Sequence, residues 1–67
     1  MVWMDRVRRV RKLYGMTQDD LAKVIGVRRE TIAVWESRSD RPYSVGVERF
    51  LELEARVPEA ADAGGKG

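Results

Sequence analysis

Residues 16–36 read Met16-Thr17-Gln18-Asp19-Asp20-Leu21-Ala22-Lys23-Val24-Ile25-Gly26-Val27-Arg28-Arg29-Glu30-Thr31-Ile32-Ala33-Val34-Trp35-Glu36. Two short helices and a tight turn follow from this run. Thr17 offers an oxygen to cap a helix N-terminus, and Asp19 and Asp20 put negative charge in the first turn, where the helix dipole favours it. Leu21, Ala22 and Ile25 form the buried edge, and Ala22 is small where two helices must approach closely. Gly26 stops the helix and supplies the backbone conformation of the turn. A second periodic segment then sets Val27, Thr31, Ile32 and Trp35 on one side and Arg28, Arg29, Glu30, Ala33 and Val34 on the other.

Upstream, Trp3, Val7, Val10 and Tyr14 recur at spacings of four, three and four, with Met4 and Leu13 flanking the stripe and Arg or Lys between. This predicts an amphipathic first helix ending at Gly15. Downstream, Ser37 to Pro42 is a polar loop. Ser44 is placed to cap a fourth helix that turns Val47, Phe50, Leu51 and Leu53 inward, with Gly46 weakening its start. Trp35 falls on the stripe with Ile32 and belongs to the core. Trp3 has two readings, under the fourth helix or in a subunit contact. Pro58 closes the ordered part, and residues 58–67 carry nothing large to bury, so they read as a disordered tail. No stretch alternates with period two. The expectation is an all-α domain over residues 1–57, a compact bundle of four to five helices.

The whole chain has 67 residues, 13 Lys plus Arg against 11 Asp plus Glu, and neither Cys nor His. One small domain is all that length allows, stabilised by helix packing or by a partner copy, since no disulfide or Cys/His metal site can staple it. Imidazole bases, thiolate nucleophiles and nearly all zinc or haem sites are excluded. Glu48 and Glu52 read as an exposed helix face, without a metal cluster or nucleophile beside them. A binding module is favoured over an enzyme, with no cofactor. No apolar run approaches the ~18 residues of a membrane span, and the N-terminus turns charged at once, so the chain reads as cytoplasmic. Charge is uneven along it. Residues 1–41 hold ten basic against six acidic side chains, and residues 42–67 three against five. That asymmetry hints at a polyanion partner for the first part.

A helix-turn-helix whose second helix exposes arginines at its N-terminus fits the DNA major groove, about 12 Å wide. The candidate DNA-contacting residues are Arg28, Arg29, Glu30, Ala33 and Val34 on that helix, with Arg38 and Arg41 in the following loop. Arg29 could hold guanine O6 and N7 with two hydrogen bonds, Glu30 could accept from cytosine N4, and Val34 could pack on a thymine methyl. Each has a plainer alternative: a solvated pair for Arg28 and Arg29, a salt bridge for Glu30, and a pairing of Arg41 with Asp40 or Glu36. Arg6, Arg8, Arg9, Arg11 and Lys12 on the first helix are either solvated or reach phosphates flanking the groove.

Met16 to Ala22, Ile25-Gly26-Val27, Thr31-Ile32-Ala33-Val34-Trp35-Glu36 and Arg41-Pro42 together resemble the phage-repressor helix-turn-helix family, the Cro and cI or xenobiotic-response-element type. The likeness runs from about Val7 to Leu53. It implies a lambda-repressor-like fold, a role for Gln18 in contacting a phosphate or buttressing the recognition helix, and a structural ion pair between Arg11 and Glu36. Members often have a small hydroxyl residue in place of Arg28, Gln in place of Glu30 and a long polar residue in place of Val34. The segment from Arg41 to Leu51 is further similar to small repressors of phage or mobile-element operons, which would imply autoregulation of a short operon. The resemblance thus implies a repressor of transcription that binds double-stranded DNA. Such a repressor is expected to be a homodimer through its C-terminal helical region, on an inverted-repeat operator, with no small-molecule ligand. The competing expectation is a helix-turn-helix used for protein contact, as in an antitoxin-like partner.

Overall fold

The ends of the first two helices in the computed structural model, which describes residues 1–57, fall where the local chemistry satisfies free backbone groups. Among the described residues all regular structure is helical: α1 (Trp3–Tyr14), α2 (Gln18–Ile25), α3 (Arg29–Trp35) and α4 (Val47–Ala55). At the end of α1, the N–H of Met16 donates back to Arg11 O at 2.8 Å, a C-terminal closure that uses carbonyls the helix would leave free. Thr17 then caps α2 reciprocally with Asp20. The Asp20 N–H donates to Thr17 Oγ1 and the Thr17 N–H donates to Asp20 Oδ2, both at 3.0 Å. The Thr17 backbone donor, seconded by the hydroxyl, holds the Asp20 carboxyl below its ordinary range. At the turn, the N–H groups of Gly26 and Val27 both donate to Ala22 O, at 2.8 and 2.9 Å. The proposed tail lies outside the described residues.

The core is a cluster of aliphatic side chains closed by three aromatic rings from three helices. Val7 and Val10 of α1, Leu21 and Ile25 of α2, Ile32 of α3 and Val47 of α4 are all buried. Trp3, Trp35 and Phe50 pack on one another with centroids 5.4, 4.9 and 5.9 Å apart in tilted and edge-on geometries, the arrangement aromatic quadrupoles prefer. Trp3 therefore packs against α4, within the same chain. Its buried indole N–H has no hydrogen-bond partner among the described residues. Val47 and Phe50 are core, while Leu51 and Leu53 are half-buried against it. Thr31, expected on the buried stripe, is only half-buried.

The start of α4 differs from the expectation. Ser44 does not cap it; the cap residue is Gly46, in a left-handed conformation with φ of 96°, and no side chain caps the helix. A methyl at Gly46 would lie 2.7 Å from Val27 Cγ1 and 3.0 Å from Ile25 Cγ2. At Gly46 the chain entering α4 thus lies against Ile25 and Val27 at the α2–α3 turn, a close approach that only a residue without Cβ permits.

Cross-ties set the remaining geometry. The N–H groups of Trp3 and Met4, at the uncapped start of α1, donate to Ser39 O at 2.9 Å and Arg38 O at 3.1 Å, which hangs the loop after α3 on the first turn of α1. At the far end, the Tyr14 hydroxyl donates to Leu53 O at 3.1 Å. Arg6 forms a two-bond pair with Glu54 of α4 and lies 5.2 Å from the Trp3 ring centroid, joining an ion pair to a cation–π contact.

Candidate nucleic-acid interface

Packing determines which face of α3 is left outward. Ala22, Ile32 and Trp35 are buried where α2 and α3 meet, and Val27 is half-buried at the turn. Turning the helix by its own period leaves Arg28, Arg29, Glu30 and Val34 exposed and Ala33 half-exposed. Val34 keeps 55% of its surface in solvent, a large apolar side chain on the same helix as Arg29 and Glu30. Arg38 and Arg41 are exposed in the loop that follows. Arg28, Glu30, Val34 and Arg38 line one groove, whose other wall is the segment from Pro42 to Val45. Arg41 lines a separate hollow along residues 41–49, and Arg29 and Ala33 line neither.

Glu36, at the C-terminal end of α3 and 6% exposed, is the hub that orients this face. Arg11 donates to both of its carboxylate oxygens, from Nε at 2.5 Å and from Nη2 at 3.0 Å. Gln18 Nε2 donates to Oε1 at 3.2 Å, and Arg8 donates from Nη2 to the Glu36 carbonyl oxygen at 3.0 Å while its Nε lies 3.7 Å from Oε1. Burial pushes the Glu36 carboxyl up, but the hydrogen bonds from Arg11 and Gln18 and the charges of Arg11 and Arg8 outweigh it, and the group sits below its ordinary range. The Arg11 guanidinium is raised in turn by its bond to Glu36. Three elements are locked by this one carboxylate. Gln18 is here a buttress of α3, bonded to Glu36, the residue that caps its C-terminus. Because α3 has no basic residue in its last turn, Arg8 supplies from α1 the cation that a helix C-terminus attracts.

These pairings set three arginines apart. Arg6, Arg8 and Arg11 are engaged by Glu54 or Glu36. The side chains of Arg28, Arg29, Arg38 and Arg41, like those of Arg49 in α4 and Arg56 just after it, make no ion pair or hydrogen bond among the described residues, and neither does that of Glu30. The pairings of Arg41 with Asp40 or Glu36 do not occur. Sequence reasoning did not find the partner of Arg6, 48 residues away, nor that of Arg8, 28 residues away. It also passed over Tyr43 and Val45, which are 93% and 83% exposed beside α3. A polar loop followed by an isolated aromatic and a β-branched residue was the signal available for them.

The arrangement is that of a surface able to hold a polyanion and read it. Among the described residues, no group of His, Cys, Asp or Glu could hold a metal ion and no helix is long and apolar enough to cross a membrane. A family model described as helix-turn-helix matches residues 7–45, from within α1 through α3 and the loop after it. The chain is also 54% identical over 37 residues to an uncharacterised HTH-type transcriptional regulator of Archaeoglobus fulgidus, covering 55% of this chain and 53% of that protein. The chain therefore matches about half the length of that relative. No solved structure matches the chain.

Proposed function

The chain belongs to the helix-turn-helix family of Cro and cI type, and from that premise we propose that it regulates transcription by binding double-stranded DNA in a sequence-specific manner. The observation that carries this reading is the sorting of the arginines. Arg6, Arg8 and Arg11 are held by carboxylates, whereas Arg28 and Arg29 at the start of α3 and Arg38 and Arg41 in the loop after it are exposed, with side-chain charges unpaired among the described residues. Exposed, uncompensated guanidiniums are what phosphate neutralisation and base-edge recognition require. With α3 in the major groove, Arg29 reads guanine, Glu30 accepts from cytosine, and Ala33 and Val34 meet the apolar parts of the bases, while Arg38 and Arg41 hold the backbone. The protein acts by binding and occlusion, without catalysis or a small-molecule effector, as a cytoplasmic repressor.

A unit this small makes few phosphate contacts, so two copies on an inverted repeat, with half-sites about 34 Å apart, give the affinity that one lacks. The surface of this homodimer is the outer side of α4, where Leu51 and Leu53 remain half-exposed beside Glu48, Arg49 and Glu52. Selection of bound duplexes from a random pool tests the reading. Recovery of an inverted repeat, with affinity that falls steeply as salt rises, is the expected result; no enrichment sinks it and leaves the antitoxin-like, protein-binding use of the fold.

A further inference from the structure

The groove beside α3 contains more exposed apolar surface than phosphate binding uses. Val34, Tyr43 and Val45 line it and are 55%, 93% and 83% exposed, and Arg28 and Arg38 line the same groove with no ion-pair partner among the described residues. Glu30 is its one acidic side chain. The loop that forms its second wall is held in place, because Arg38 and Ser39 accept hydrogen bonds from the first N–H groups of α1 and Gly46 locks the end of the segment against Val27.

Resting on the reading that α3 meets DNA, we propose that this groove is a sequence-sensitive DNA contact in which Tyr43 and Val45, together with Val34, enclose a thymine methyl while Arg28 and Arg38 neutralise phosphates of the same strand. The charge selects a polyanion, and one wall of the groove is the recognition helix itself. The apolar group that a base pair presents in the major groove is the C5 methyl of thymine, which marks T·A apart from every other pair. A slot with apolar walls and cationic flanks matches that combination. The slot makes the segment 42–45 a second reading element, in addition to the outward face of α3.

Replacing single thymines by deoxyuridine in a selected duplex removes only the methyl. At one thymine per half-site, the wild-type protein should bind about fourfold more weakly to the substituted duplex, the value of one buried methyl group. The variant Tyr43→Ser/Val45→Ser should bind both duplexes alike, with a salt dependence equal to that of wild type, because no phosphate contact is lost. Both positions are exposed, so its thermal unfolding should match wild type. If Arg29→Ala weakens binding while no uracil substitution distinguishes wild type from the Tyr43→Ser/Val45→Ser variant, the groove assignment is wrong and the reading of α3 stands. If wild type enriches no duplex, the reading of α3 fails and takes the groove with it.

Discussion

Gly46→Ala places a methyl group where the chain entering α4 lies against the α2–α3 turn. The added carbon would sit 2.7 Å from Val27 Cγ1 and 3.0 Å from Ile25 Cγ2, against the roughly 3.5–4.0 Å of favourable carbon contact. Both neighbours are γ carbons of β-branched side chains, stiff at χ1, so neither can swing aside as the end of a long side chain would. Overpacking of this kind costs about 1–3 kcal/mol. The φ of 96° adds a backbone cost of roughly 1–2 kcal/mol for any L side chain. The sum, about 2–5 kcal/mol, is a large share of the total for a domain stabilised by roughly 0.05–0.15 kcal/mol per residue. The midpoint of thermal unfolding should fall by at least about 8 °C, given roughly 4–8 °C per kcal/mol at this size. Trp3 and Trp35, both buried, make intrinsic fluorescence the assay. Gly15→Ala is the control: it shares a positive φ, 69°, but its methyl would meet nothing within 4 Å, so it should show the backbone cost alone, about 1 kcal/mol. Val27→Ala should cost less in the Gly46→Ala background than in wild type, since it removes the closest clashing atom. Equal losses for Gly46→Ala and Gly15→Ala would refute the reasoning.

Three further outcomes follow from the same contacts. Glu36→Gln should destabilise the domain by about 1–3 kcal/mol, because it strips a charged acceptor from Arg11 and Arg8, part of the loss being offset by water around the partly exposed guanidiniums. Since the folded Glu36 carboxyl is held below its unfolded value, its contribution is complete above the ordinary carboxylate range, near pH ~4.3, and is lost as pH falls through the folded value; urea midpoints across that window should converge for wild type and Glu36→Gln. Thr17→Ala, which deletes half of the reciprocal cap on α2, should cost about 1 kcal/mol in the same titration, and no change would mean the Thr17–Asp20 bonds contribute nothing in solution. Arg38→Ala should lower the salt slope of DNA binding by about 1, whereas Arg8→Ala should lower thermal stability and leave that slope alone; the reverse pattern would place Arg8 on the phosphates.

Local punctuation made the first three helices legible. Gly15, Thr17 with Asp20, and Gly26 each act within one turn of where they stand, and the stripes Trp3-Val7-Val10 and Ile32-Trp35 specify what faces inward. The start of α4 was not legible in the same way. Ser44 offers a local cap, but a steric demand from Val27 and Ile25, distant in the chain, puts the cap at Gly46. The arginines show the same limit. The composition shows a basic first helix, yet whether a guanidinium is spent inside the fold depends on acids 28 to 48 positions away, and so the pairing of Arg6 and Arg8 was left open between solvent and phosphate. On α3 the helical period alone separates outward from inward residues, which is why its candidate face could be named from sequence and is the exposed one in the structure.

The aromatic cluster bears on where the folding unit ends. Trp3 and Phe50 lie outside residues 7–45, the segment by which the family is identified, while Trp35 lies within it. A peptide cut to the matched segment would keep the turn and every outward-facing residue of α3 but would present the Trp35 ring without either neighbour. It would also lose the close approach at Gly46 and the Arg38 and Ser39 carbonyl partners on α1. The portable signature and the cooperative unit are therefore different lengths of chain. Grafting the signature alone onto another scaffold would carry the contacts without the rigidity, unless the host supplied two rings of its own.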